Sequence, residues 1–181
     1  RRAMSAAAVT RTPPAEGDRR IVRTLTFQAD PARVLEAWCD LGVQQAVLAG
    51  AARCRGGDAL ESQWEVHAPM NQRFDVVLRR LDASPGLVRH RVEGEHGLRL
   101  DAVLEARALA DRSGTEATLL LDYQVEGVVA QVLARLLDPA PQLLAGNALR
   151  RLRAWLEAGE VPTLDRNPSA REPAAHDAPT G

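Results

Sequence analysis

From Ala51 to Val125 apolar residues recur two apart, and the pattern is broken by short turn signals: RGGD at Arg55, APMNQ at Ala68, ASPG at Ala83, GEHG at Gly94 and DRSG at Asp111. Strands joined by connections this short are antiparallel neighbours, so the stretch reads as a meander of about six strands. Alternation assigns the strand faces. Trp64 and Val66, Phe74, Val76 and Leu78, Val88, His90 and Val92, Leu98, Leu100, Ala102 and Leu104, and Leu119, Leu121, Tyr123 and Val125 share one face. A sheet face this apolar requires a cover.

The cover is legible further along. LLDPAPQLLAGNALRRLRAWLEAGEVPT, from Leu136 to Thr163, reads as one long helix with Leu144, Ala145, Ala148, Leu149, Leu152, Trp155 and Leu156 at steps of three and four. Arg150, Arg151, Arg153 and Glu157 occupy its other faces, as a basic patch or an ordinary polar surface. Asp138 can cap, and Pro139 and Pro141 suit a first turn but break a helix passing through them, so a kink or fresh start is expected there. Gly159 is the stop signal, with Pro162 beyond it. Just upstream, GVVAQVLARLL carries a helical stripe of Val128, Val129, Val132, Leu133, Leu136 and Leu137, which either closes the same core or pairs with a second subunit as a homodimer.

At the other end IVRTLTFQ alternates Ile21, Arg23, Leu25 and Phe27 against Val22, Thr24, Thr26 and Gln28 and is expected to join the sheet. Asp30 offers an N-cap oxygen and Pro31 fits the first helical position. The helix that follows sets Val34, Leu35, Trp38 and Leu41 on one face, and a second short helix covers Val43 to Leu48, ending near Gly50. Residues 1–19 and 161–181 are rich in Pro, Ala and small polar residues and lack apolar periodicity. They are expected to be a disordered arm and a flexible tail around a domain over 20–160.

Composition narrows the function classes. A net charge of -1 gives no basic field for phosphate backbones, so nucleic acid is not an expected partner. Cys39 and Cys54 match neither a CxxC pair nor a zinc set and read as reduced thiols. No run approaches the roughly 20 apolar residues of a membrane span, and MSAAAV at Met4 is too short for a signal-peptide core. The expectation is a soluble cytoplasmic protein without an integral membrane segment. Phosphate loops, dinucleotide glycine fingerprints and nucleophile elbows are absent from the sequence, and no cofactor is expected. Glu65 and His67 could share a metal edge, but no third ligand has recognisable spacing, and no metal site is expected.

The element order, with IVRTLTFQADPARVLEAW at its start and LRRLRAWLEAGEVPTLDRNPSAR at its end, resembles the START/Bet v 1-like (SRPBCC) superfamily, in particular its polyketide cyclase/dehydrase-like subgroup. The resemblance implies an α+β helix-grip fold, a curved antiparallel sheet wrapped around a long C-terminal helix with two short helices after the first strand. It also implies a cavity between sheet and helix for a small hydrophobic molecule such as a lipid or polyketide. Relatives tend to carry an aromatic residue near the position of His90, so this pocket differs in polarity. Ligand-lining candidates are Trp64, Phe74, Val76, Val88, His90, Leu100, Leu121, Tyr123, Ala148, Leu152 and Trp155.

His90 and Tyr123 are the polar exceptions on the apolar face. An imidazole there can serve as general acid or base and a phenol can orient an enolate oxygen, so they are the catalytic candidates for a cyclase or aromatase. The plainer reading gives both a packing role. Three functions follow: a binding protein for a hydrophobic ligand, a cyclase-type enzyme, or an interaction module that uses the Val128–Leu137 stripe.

Overall fold

The computed structural model describes residues 19–68, 71–124 and 140–158. Along the chain these form β1 (Arg19–Phe27), α1 (Pro31–Cys39), α2 (Leu41–Leu48), β2 (Ala52–Gly57), β3 (Glu61–Ala68), β4 (Gln72–Ser84), β5 (Leu87–Gly94), a 3-10 turn (Glu95–Gly97), β6 (Arg99–Ala108), β7 (Thr115–Gln124) and α3 (Ala140–Ala158). All strands belong to one antiparallel sheet in the order β1-β7-β6-β5-β4-β3-β2. The alternating β1 joins that sheet beside β7, with Ile21 opposite Leu121 and Leu25 opposite Ala117. The architecture is the α+β helix-grip fold that the element order implies, with the sheet curved around its helices.

The helices distribute over one face of the sheet. α3 lies on β1 and β7, α1 on β6, β7 and β5, and α2 between α3 and β2. Their apolar stripes explain the arrangement: Val34, Leu35, Val43, Val47, Ala145, Ala148, Leu149 and Leu152 join Ile21, Phe27, Leu104, Ala117 and Leu119 in one buried cluster. A polar clasp adds to it, because the Arg151 guanidinium donates to the Val47 and Ala49 carbonyls, groups that the end of α2 leaves without helical partners.

Three local expectations are corrected. Asp30 occupies the N-cap position of α1 but its carboxylate makes no capping bond, whereas Asp40 Oδ1 accepts from Val43 N at 2.9 Å and caps α2. Leu41 is therefore the first residue of α2 and not a continuation of α1, because Asp40 adopts extended backbone between them. RGGD only opens the turn, with its last residue. Arg55 is a bulge residue in β2, and the reversal falls at Asp58, whose Oδ1 accepts from Leu60 N at 2.7 Å and Glu61 N at 3.0 Å. Gly57 is required there: its φ is +106°, and a Cβ would collide with the Glu61 backbone.

Of the long C-terminal helix, Ala140–Ala158 is described. The Val128–Leu137 stripe, Val125, Gly159, Pro162 and both tails lie outside the described residues.

The outer face of the sheet is a charged lattice. Arg79 bridges Glu61 and Glu93, Arg91 pairs with Asp101 at 2.7 Å, and Arg20 with Asp122 at 2.6 Å. Pairs this open to solvent contribute about 0–1 kcal/mol each, the part-buried Arg91–Asp101 pair being the most enclosed of them, so they mark this face as solvated more than they hold the fold.

Candidate functional site

The strand registers sort the inner face into rows. Ile21, Leu121, Ala102, His90 and Arg80 form one row across five strands; Tyr123, Leu100, Val92, Leu78 and Ser62 form the next. Under α1 and α3 the face is closed: Leu104, Leu119, Leu149 and Leu152 are fully covered. Towards β4 and β5 it is looser, since Leu78, Val92, Leu98 and Leu100 are only half-buried. His90 stands where the closed part meets the looser part.

His90 is 2% exposed, and neither of its ring nitrogens has a hydrogen-bond partner. Burial, reinforced by the charge of Arg80, lowers its pKa to about 4, so the ring is neutral at pH 7 and presents one donor and one acceptor. From α1 the indole of Trp38 meets it edge-on, with ring centroids 6.5 Å apart and planes at 77°. Trp38 Nε1 is likewise buried without a partner. The contrast with Trp64 is instructive: that indole is also buried, but its Nε1 donates to Ser62 Oγ at 2.7 Å. Most buried polar groups are satisfied in this way. Arg89 Nε is also buried without a hydrogen-bond partner, but Asp82 Oδ2 lies 4.0 Å from it, whereas the Trp38–His90 pair has no such counter-group.

The sequence candidates divide by location. Val88, Leu100, Leu121, Tyr123, Ala148, Leu152 and Trp155 belong to or pack against the main core cluster, and His90 faces it. Trp155 also carries the Arg33 guanidinium over its ring at 5.8 Å, which places it towards the outside of α1 and α3. Trp64 and Val76 are buried at the β3–β4 end, separate from that cluster, and Phe74 is half-buried beyond them. Tyr123 and His90 are one row and two strands apart, about 12 Å between Cα atoms at ordinary strand spacing. They are not brought together as a dyad.

Sequence reading passes over Trp38 as a site residue and Arg80 altogether. Arg80 is the directly opposed partner of His90, immediately before a register shift in β4, and therefore shares the inner face. Its signal is present in the sequence: Val76, Leu78 and Arg80 continue one alternation.

A separate open cleft of about 500 Å³ involves Arg55, Gln63, Trp64, Asp75, Val76, Val77, Glu93, Gly94 and Glu95. The register sets Gln63, Val77 and Glu93 in one outward row with Asp75 beside it, so this cleft opens on the outer face and not between sheet and helices. On that face Glu65 is enclosed by Arg55, by Arg73 at 3.3 Å and by His67 at 3.4 Å. Burial alone would raise its pKa, but the arginines and the histidine outweigh burial and lower it. Glu65 and His67 thus belong to an ion-pair cluster, and among the described residues no three metal-ligating side chains converge.

No family model and no curated protein matches the sequence. Solved structures do match the fold. A conserved protein from Geobacillus kaustophilus superposes with a TM-score of 0.62 at 14% identity, covering 77% of this chain and 96% of that one. TTHA0849 from Thermus thermophilus gives 0.59 at 18% identity, covering 78% and 98%. DR_A0006 from Deinococcus radiodurans gives 0.57 at 17% identity, covering 78% and 99%. Their near-complete coverage matches the helix-grip architecture across whole chains. At these identities the likeness concerns fold alone. Among the described residues no helix is long and apolar enough to cross a membrane.

Proposed function

We propose that the chain is a START/Bet v 1-like protein that binds one small hydrophobic molecule on the inner face of the sheet, as relatives of the polyketide cyclase/dehydrase-like subgroup would. The observation that carries this reading is the pair of buried, partnerless polar groups on His90 and Trp38, set beside a half-buried apolar strip of Leu78, Val92 and Leu100. An unsatisfied buried donor or acceptor costs about 1–3 kcal/mol, and a ligand's polar end removes that cost while its apolar part covers the strip. Leu152, Ala148 and Leu149 then act as the grip that fixes α3, more than as walls, because they are already covered by protein.

Binding is favoured over cyclase or aromatase chemistry on two counts. A histidine with a pKa of about 4 is a weak general base at neutral pH, where efficient proton transfer needs a pKa near the working pH. Tyr123 stands too far along the sheet to share a proton with it directly.

The test is titration of lipid-stripped protein with an apolar fluorophore such as N-phenyl-1-naphthylamine. Saturable one-to-one binding is expected. Val92→Trp, which fills the half-buried strip, is expected to weaken it at least tenfold while the circular dichroism spectrum is kept. Binding that does not saturate, or that a folded Val92→Trp variant leaves unchanged, contradicts the proposal.

A further inference from the structure

The polar groups at the closed end of the apolar strip are mostly donors. Trp38 Nε1–H only donates, a guanidinium only donates, and neutral His90 offers one donor and one acceptor. Arg80 is opposed to His90 across the β4–β5 pair, which at ordinary spacing leaves their Cβ atoms about 4.5–5.5 Å apart. Its guanidinium forms no salt bridge or hydrogen bond among the described residues, although Asp58 lies within its electrostatic reach.

Resting on the reading that the inner face holds a hydrophobic molecule, we infer that this molecule is a carboxylic acid. Its carboxylate takes the Trp38 N–H, the His90 N–H and the Arg80 guanidinium, and its tail runs along Leu78, Val92 and Leu100. A planar two-oxygen acceptor matches the guanidinium fork and has lone pairs left for the two ring N–H groups. The alternatives fit less well. A hydroxyl brings a donor that only the single His90 acceptor can use and leaves the Arg80 charge unanswered. A phosphate adds a second negative charge whose desolvation one half-buried cation does not offset. The strip also has the length for a tail: Leu78, Val92 and Leu100 follow one another across three neighbouring strands, about 10 Å at ordinary spacing.

The test compares dodecanoate with dodecan-1-ol, which share a tail and differ in the polar end, by calorimetric titration of the lipid-stripped full chain. The acid is expected to bind at least tenfold more tightly than the alcohol and to shift the indole N–H resonance of Trp38. In Arg80→Gln the acid-to-alcohol affinity ratio is expected to fall to about one, and in Trp38→Phe to fall by a factor of several. If Arg80→Gln does not fold, the wild-type ratio and the Trp38 resonance decide. Equal affinities in the wild type, or an acid preference that survives in folded Arg80→Gln, overturn the carboxylate assignment and leave the ligand reading standing. Failure of both probes to bind overturns the ligand reading and this inference with it.

Discussion

A neutral imidazole with both nitrogens buried and unpaired lowers the stability of the ligand-free fold, and His90 is such a group. In lipid-stripped protein His90→Leu is therefore expected to raise the unfolding free energy at pH 7 by about 1–2 kcal/mol, measured by urea denaturation. A loss of stability would mean that the imidazole is bonded after all. The same residue fixes a pH dependence. Its folded pKa, about 4, lies below the value near 6.5 in an unfolded chain, so the unfolded chain binds more protons between those limits. Stability from this group is present above pH 6.5 and is lost as pH falls towards 4. Between pH 7 and pH 5 the wild type should lose about 2 kcal/mol that His90→Leu does not lose. Parallel curves for the two proteins would contradict the shift. Among single residues the sequence is partly transparent: alternation alone marks His90 and Tyr123 as polar exceptions. Trp38 is legible as an inward residue of α1, but its approach to His90 depends on where α1 lands on β5 and β6, which no local pattern encodes.

Elements are more legible than residues because periodicity is a local property. Every strand face assigned by alternation over the described residues is observed, and the step-three and step-four stripe of α3 packs through Ala145, Ala148, Leu149, Leu152, Trp155 and Leu156, whereas Leu144, assigned to the same stripe, is 40% exposed and stays outside the cluster. Boundaries are less so, for physical reasons. Two carboxylates, Asp30 and Asp40, both stand at helix starts, and only the backbone geometry decides that Asp40 makes the capping bond. In RGGD, Arg55 is a bulge residue and both glycines take positive φ at the end of β2, while Asp58 accepts the hydrogen bonds that close the turn. The helix α3 offers a direct check. Gly146 does not admit a close approach of the sheet: a Cβ there meets no neighbour nearer than the Arg150 guanidinium at 3.4 Å. With that flexible side chain free to give way, Gly146→Ala should stabilise the protein by about 1 kcal/mol through helix propensity and reduced unfolded-state entropy. A destabilised variant in thermal or urea unfolding would show that the position is needed for packing.

Across the molecule, one sheet presents two different surfaces. Its outer face is a lattice of exposed ion pairs, and its inner face grades from a closed core under α1 and α3 to a half-buried strip on β4 to β6 with His90 at the junction. Fold class follows from the sequence because an antiparallel meander and one wide apolar helix stripe have few ways to bury each other. The occupant of the strip does not, since it depends on sub-nanometre spacing between helix and sheet. The basic residues of α3 show the same limit: Arg151, read from sequence as part of a surface patch, instead clasps the carbonyls at the end of α2. Whether the inner face binds a ligand is decided by native mass spectrometry of gently purified protein, followed by denaturing extraction of whatever it carries. A one-to-one hydrophobic adduct is expected in the wild type and its loss in Val92→Trp. A clean unliganded mass that stays unchanged after incubation with a panel of medium-chain and long-chain lipids would contradict the binding role.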